Sequence, residues 1–120
     1  MGKQTIYPTS IKLRSISKTM EISFSNGQDF ALSCEFLRVY SPSAEVRGHS
    51  PEQAVLQVGK EEVVITEIEQ VGNYAVKLVF DDGHDTGLYT WNYLYDLASN
   101  FEQYWEKYLA QVEAAERGGN

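Results

Sequence analysis

Two histidines, one cysteine and several carboxylates are the side chains here with the chemistry to catalyse or to ligate. His84 sits in the run Asp81-Asp82-Gly83-His84-Asp85. Three acids around an imidazole hold its proton more tightly, and oxygen and imidazole donors together suit several divalent metals. His84 with Asp82 or Asp85 is therefore the candidate metal site, for weakly bound zinc or iron. The plainer reading of the same run is a turn histidine hydrogen-bonded to its own loop, since no second histidine stands at helical or hairpin spacing. His49, in a loop of glycine, serine and proline, meets His84 only through the fold. Cys34 lies between a strand pattern and an apolar segment, where a buried, inert thiol is expected. A nucleophile needs a base beside it, and no paired motif is present. There is no phosphate-cradling glycine loop, no serine in a nucleophile elbow, and no carboxylate pair marked out as acid and base. No catalytic residue is assigned, and the expectation is a non-enzyme.

The elements that position these groups follow from hydrophobic spacing. Ile11 and Leu13 alternate with Lys12 and Arg14, and Met20, Ile22 and Phe24 alternate with Glu21 and Ser23. Both runs read as half-buried strands. Asn26-Gly27 predicts a tight hairpin in which both central residues take positive φ, with Phe30 and Leu32 opening the return strand. Cys34 to Tyr40 breaks the alternation and reads as a short helix or a turn. Residues 41–53 are loop-like. Val55, Leu56 and Val58 suggest a strand, with a turn at Gly59-Lys60. Val63 to Ile68, Tyr74 to Phe80 and Leu88 to Trp91 read as further strands.

From about Asn92 the period becomes helical, with Leu94, Leu97, Ala98, Phe101, Trp105, Tyr108, Leu109 and Val112 at steps of three and four. Thr90 or Asn92 is the cap. A helix of about 24 residues runs about 36 Å, long enough to overhang so small a sheet. Phe101, Tyr104, Trp105 and Tyr108 then form a candidate interaction face, although covering the sheet is the simpler role for them. The fold class expected is α+β: an antiparallel sheet of about six strands, one short helix and a long C-terminal amphipathic helix. The domain is expected to span residues 1–97, with 98–120 continuing the helix and ending in a tail.

Composition narrows the function classes. The 120 residues carry net charge −7, with ten bases against seventeen acids. The imbalance is uneven, because residues 1–20 carry +4 and the remainder −11. An acidic body lacks the cationic face that phosphate binding needs, so nucleic acid is not an expected partner. The basic N-terminal stretch reads as a solvated strand face, and Glu61, Glu62, Glu67 and Glu69 as the exposed side of another strand. No apolar run is long enough for a membrane span, and no signal peptide is visible. One cysteine excludes an internal disulfide framework. The expected setting is cytoplasmic.

Several segments together carry a more specific signal: Phe24-Ser25-Asn26-Gly27, Leu37-Arg38, Ser41-Pro42-Ser43-Ala44-Glu45, Val71-Gly72-Asn73-Tyr74-Ala75-Val76, and Asp82-Gly83-His84-Asp85-Thr86-Gly87-Leu88-Tyr89-Thr90-Trp91 followed by Leu94. From about Pro8 to Leu97 the chain resembles the gamma-butyrobetaine hydroxylase N-terminal-like domain family, a domain of unknown function, as a stand-alone bacterial member. The resemblance implies a small α+β fold. The domain also occurs at the N-terminus of two carnitine-pathway dioxygenases and fused to iron–sulfur carriers. In those dioxygenases it binds a structural zinc through a Cys-x-Cys-x-x-Cys run and the histidine of the Gly-His turn. His84 matches that histidine, while Ser41, Ser43 and Val46 stand at the three cysteine positions. Valine has no donor and a neutral hydroxyl is a poor zinc ligand beside thiolate. The resemblance thus implies a degenerate zinc site, no resident cofactor, and packing in the metal's place. A weaker site of His84 with Asp82, Asp85 or Glu45 is the alternative. The dioxygenase activity belongs to a separate domain and does not carry over. The function expected is a non-catalytic binding or adaptor domain with a protein partner, linked to a dioxygenase or an iron–sulfur protein.

Overall fold

In the computed structural model, residues 6–43, 46 and 56–118 are described. The first unit is the meander that the alternation predicts: β1 (Pro8–Arg14), β2 (Thr19–Phe24) and β3 (Asp29–Ser33), all antiparallel. Central β2 sends Met20, Ile22 and Phe24 inward at 0, 1 and 2% exposure. The β2–β3 connection differs from the predicted turn. Only Gly27 takes positive φ, at 88°. Gly27 N–H donates to Phe24 O at 3.0 Å and Phe24 N–H to Gln28 O at 2.9 Å. This is a three-residue loop closing on a left-handed glycine, so Asn26 keeps an ordinary φ. The basic stretch is a solvated face whose charges find local acids, Arg14 pairing with Glu21 and Lys18 with Glu62.

The ambiguous segment is a helix, α1 (Cys34–Val39). Ser33 caps it by accepting from Phe36 N–H at 3.0 Å. The described part of the following chain, residues 56–58, forms no strand, and Val58 is 55% exposed. Val55 lies outside the described residues. The second sheet comprises β4 (Ile65–Val71), β5 (Ala75–Phe80) and β6 (Leu88–Thr90), again antiparallel. Among the described residues the six strands form two three-stranded sheets, with α1 falling between the two meanders in sequence. A shared core, including Phe36, Leu37, Leu78, Phe80, Tyr89 and Leu94, lies among them.

Helical structure follows from Trp91, in two pieces: α2 (Trp91–Ser99) and α3 (Phe101–Gly118). Of the two candidate caps, Thr90 serves, accepting from Tyr93 N–H at 3.2 Å. The break falls at Asn100, with φ −117° and ψ 26°. Its Nδ2 donates to both Asp96 O and Asp96 Oδ1 at 3.0 Å, the local side-chain competition that asparagine offers a helix. The aromatic residues pack back onto α1. Phe36 is fully buried, with its ring centroid 4.7 Å from Phe101 and 6.1 Å from Trp105. Such edge-on pairs add about 0.5–1.5 kcal/mol each beyond area burial. Tyr104 donates to Asp96 Oδ2 at 2.5 Å, and Tyr108, 5% exposed, to Gln57 O at 2.5 Å. Beyond Tyr108 the helix projects, with Leu109 at 48% exposure. Among the described residues no helix is long and apolar enough to cross a membrane.

Candidate functional site

The chemistry-bearing residues gather where the end of α1 meets the β5–β6 hairpin. Gly83, at φ 90°, turns the hairpin, and its N–H donates to Phe80 O at 3.1 Å. Phe80 N–H then bonds His84 O at 3.0 Å, which carries the imidazole inward to 6% exposure. On the other side, α1 ends at Tyr40 and delivers Ser41 and Ser43, at 1 and 5% exposure. Ser41 Oγ lies 2.8 Å from His84 Nε2, and Ser43 Oγ lies 3.4 Å from the same nitrogen. Ser43 N–H also donates to Ser41 Oγ at 3.3 Å. Val46 follows one turn on, its N–H donating to Ser43 O at 3.1 Å, and it is 7% exposed. Residues 43 positions apart in sequence therefore share one buried corner.

Neighbouring groups fix that corner. Gly87 backs it so closely that an added Cβ would stand 2.4 Å from Ser41 Oγ and 3.1 Å from Pro42 Cδ. Tyr89, fully buried, donates to Leu37 O at 2.5 Å, and burial pushes its phenol far above the usual range. Arg38 is 7% exposed, yet its Nε donates to Asp82 Oδ2 at 2.9 Å and its Nη1 to Gln57 Oε1 at 3.1 Å. Lys60 Nζ reaches the same Asp82 oxygen at 3.2 Å, and His84 N–H donates to Asp82 Oδ1 at 3.1 Å. Burial alone would raise the Asp82 carboxyl. The His84 N–H, the guanidinium and the ammonium outweigh it and hold the group below its ordinary value of 3.8.

That depression has a testable sign. A folded value below the unfolded one means that ionised Asp82 stabilises the fold above about pH 4, and the contribution is lost as pH falls through the folded value. Asp82→Asn is expected to cost roughly 1.5–3 kcal/mol at pH 7, the range for hydrogen bonds to a charged group. Urea unfolding of both proteins at pH 7 and pH 3 checks this. The gap should narrow at the lower pH, and an unchanged gap would contradict the assignment.

The corner has two conceivable uses in chemistry. A hydroxyl 2.8 Å from an imidazole nitrogen has the spacing of a nucleophile and its base. Ser41, however, is 1% exposed, and its oxygen is already engaged by the Ser43 N–H as well as by His84. The other use is metal binding. The donors here are one imidazole and two neutral hydroxyls, and this set does not fit zinc. Asp82 has both oxygens occupied by hydrogen bonds, and Asp85 is exposed. Among the described residues no three histidine, cysteine or acidic side chains are grouped to hold a metal ion. Glu45 and His49 lie outside the described residues.

Comparison with known proteins places this geometry in a family. The model for gamma-butyrobetaine hydroxylase-like N-terminal domains matches residues 11–95, which include α1, Ser41, Ser43, Val46 and the whole β5–β6 hairpin. The chain belongs to that family. Solved structures agree. A protein determined by NMR in solution is 60% identical, with TM-score 0.81, over 97% of this chain and 88% of that one. A second NMR structure is 47% identical, also at TM-score 0.81, over 94% of this chain and 89% of that one. A crystal structure from Acidithiobacillus ferrooxidans, described as a DUF971-family protein of unknown function, is 40% identical with TM-score 0.64. It matches over 76% of this chain and 91% of that one. No curated protein matches the chain. The family is one of unknown function.

Spacing alone did not find Arg38, Gln57, Lys60, Gly87 or Tyr89. Arg38 left a signal, a charge inside the apolar run Phe36-Leu37-Arg38-Val39, since arginine is rarely buried without a partner. Of the candidate interaction residues, Phe101 and Trp105 pack on Phe36 of α1, Tyr104 packs on Tyr40 just beyond it, and Tyr108 stacks on Trp105 and donates to Gln57 O.

Proposed function

We propose that this chain is a non-catalytic binding domain in which the family's metal corner has become a hydrogen-bonded one, with no resident metal. The observation that carries the reading is the buried contact of Ser41 Oγ with His84 Nε2 at 2.8 Å, at positions where the resemblance to the zinc-binding dioxygenase domains implies two ligands. The partner is a protein, of the dioxygenase or iron–sulfur-carrier class beside which the family's domain occurs. The setting is cytoplasmic, where the single cysteine, Cys34, stands buried as a free thiol. The test is affinity purification of the tagged chain from its host after cross-linking, followed by binding of the purified candidate in vitro. A dioxygenase-class or iron–sulfur protein that binds directly supports the reading. Acyl-ester hydrolysis by the pure chain that Ser41→Ala abolishes would contradict it.

A further inference from the structure

Among the described residues, two sheets of three strands leave four edges, and three of them are guarded. β1 carries Pro8, Lys12, Arg14 and a register shift between Pro8 and Ser10. β4 carries Glu67, Glu69 and a register shift between Ile65 and Glu67. β6 has three residues. These are the devices that discourage a further strand from pairing. β3 has none of them: its pairing to β2 runs without a shift, and Asp29 at its first position is its only charge.

The hydrogen-bond phase shows which groups β3 offers. Phe24 N–H bonds Gln28 O and Cys34 N–H bonds Lys18 O, both at 2.9 Å. In an antiparallel ladder that phase turns Phe30 and Leu32 toward β2, and the main-chain groups of Asp29 and Ala31 away from it. No strand pairs with that side among the described residues. A groove of about 350 Å³ runs along it, between β3 and the elbow where α2 meets α3. Ala31 and Leu32 form one wall, and Ala98, Asn100, Phe101 and Glu102 the other. Glu102 lines the elbow side, and Asp29 stands exposed at the start of the strand, two residues before Ala31.

We propose that this groove docks an extended segment of a partner protein, bearing lysine or arginine, which adds to β3 as a fourth strand. The outward N–H and C=O of Ala31 pair with the segment's main chain, and the two carboxylates select its basic residues. The small Ala31 side chain leaves the approach open. This rests on the binding-domain reading above and names the kind of partner segment it takes.

A random heptapeptide library displayed on phage, selected on the full chain, tests it. Enriched sequences should alternate apolar and basic residues. The synthetic winner should shift amide resonances of Asp29–Ser33 and Ala98–Gln103. Ala31→Pro removes only an outward N–H, a change edge strands tolerate, and should weaken binding at least about tenfold. Should that variant fail to fold, Glu102→Lys serves, with a smaller loss and with slowed hydrogen exchange at Ala31 in the wild-type complex. No enrichment over an Ala31→Pro or Glu102→Lys counter-target would overturn the groove. So would a peptide whose shifts cluster at Glu67 and Glu69, a result that leaves the binding-domain reading standing.

Discussion

A chain carrying Ser41→Cys, Ser43→Cys and Val46→Cys together is expected to take up one zinc ion, at an affinity at least about four orders of magnitude above that of the unaltered protein. The expectation rests on distances. Zn–S of about 2.3 Å and Zn–N of about 2.0 Å at tetrahedral angles put sulfur and nitrogen about 3.5 Å apart. Ser43 Oγ already stands 3.4 Å from His84 Nε2, and Ser41 Oγ 2.8 Å, closed up around a hydrogen instead of a metal. Val46 lies one turn beyond Ser43 and is itself buried. Thiolate supplies the charge and softness that the hydroxyls and the valine lack. Competition against a chromophoric chelator measures the affinity, and adding His84→Ala should reduce it by about a hundredfold or more. A folded triple variant that ignores zinc would show that these four positions do not converge on a metal.

Gly87→Ala is expected to destabilise the protein by about 2–3 kcal/mol, the upper part of the range for overpacking. Its Cβ would enter at 2.4 Å from Ser41 Oγ, and that oxygen has little room to retreat. It is tied to His84 on one side and to the Ser43 N–H on another. Pro42 Cδ, at 3.1 Å, blocks the flank. Because the overlap is with a single hydroxyl, Ser41→Gly should relieve much of it, and the two changes together should cost less than the sum of each alone. Thermal unfolding of the four proteins measures the coupling. An alanine at 87 with wild-type stability would mean that the corner is looser than its geometry.

Much of the fold was readable because it rests on periodicity. The alternation at Met20, Ile22 and Phe24 placed β2 and its inward face, and the step of three and four after Asn92 placed the helical segment. The departures have local causes. Asn26-Gly27 marked the right loop, but the turn begins one residue earlier, so only the glycine needs the left-handed region. Asn100 interrupts the helix while the apolar steps continue from Leu97 and Ala98 to Phe101 and Trp105, so hydrophobic spacing carries no sign of the break. Leu56 and Val58 looked strand-like by composition, yet make none of the cross-strand pairs that define a strand. The corner itself was legible only through family resemblance. Ser41 and His84 are brought together by the end of α1 and the β5–β6 hairpin, and nothing in either local segment encodes the other. The pairing of Arg38 with Asp82 across 44 positions is of the same tertiary kind.

Hydrogen bonds, with no resident metal, are proposed to hold this corner. The most direct measurement is the metal content of protein purified without a histidine tag, with thermal unfolding in chelator and in excess zinc. A protein free of metal, with the same melting temperature in both, is the predicted result. A specific site filled to about a hundred times its dissociation constant would instead add about 2.7 kcal/mol. Zinc or iron retained at one ion per chain, or a melting temperature that zinc raises and His84→Ala makes insensitive, would contradict the account.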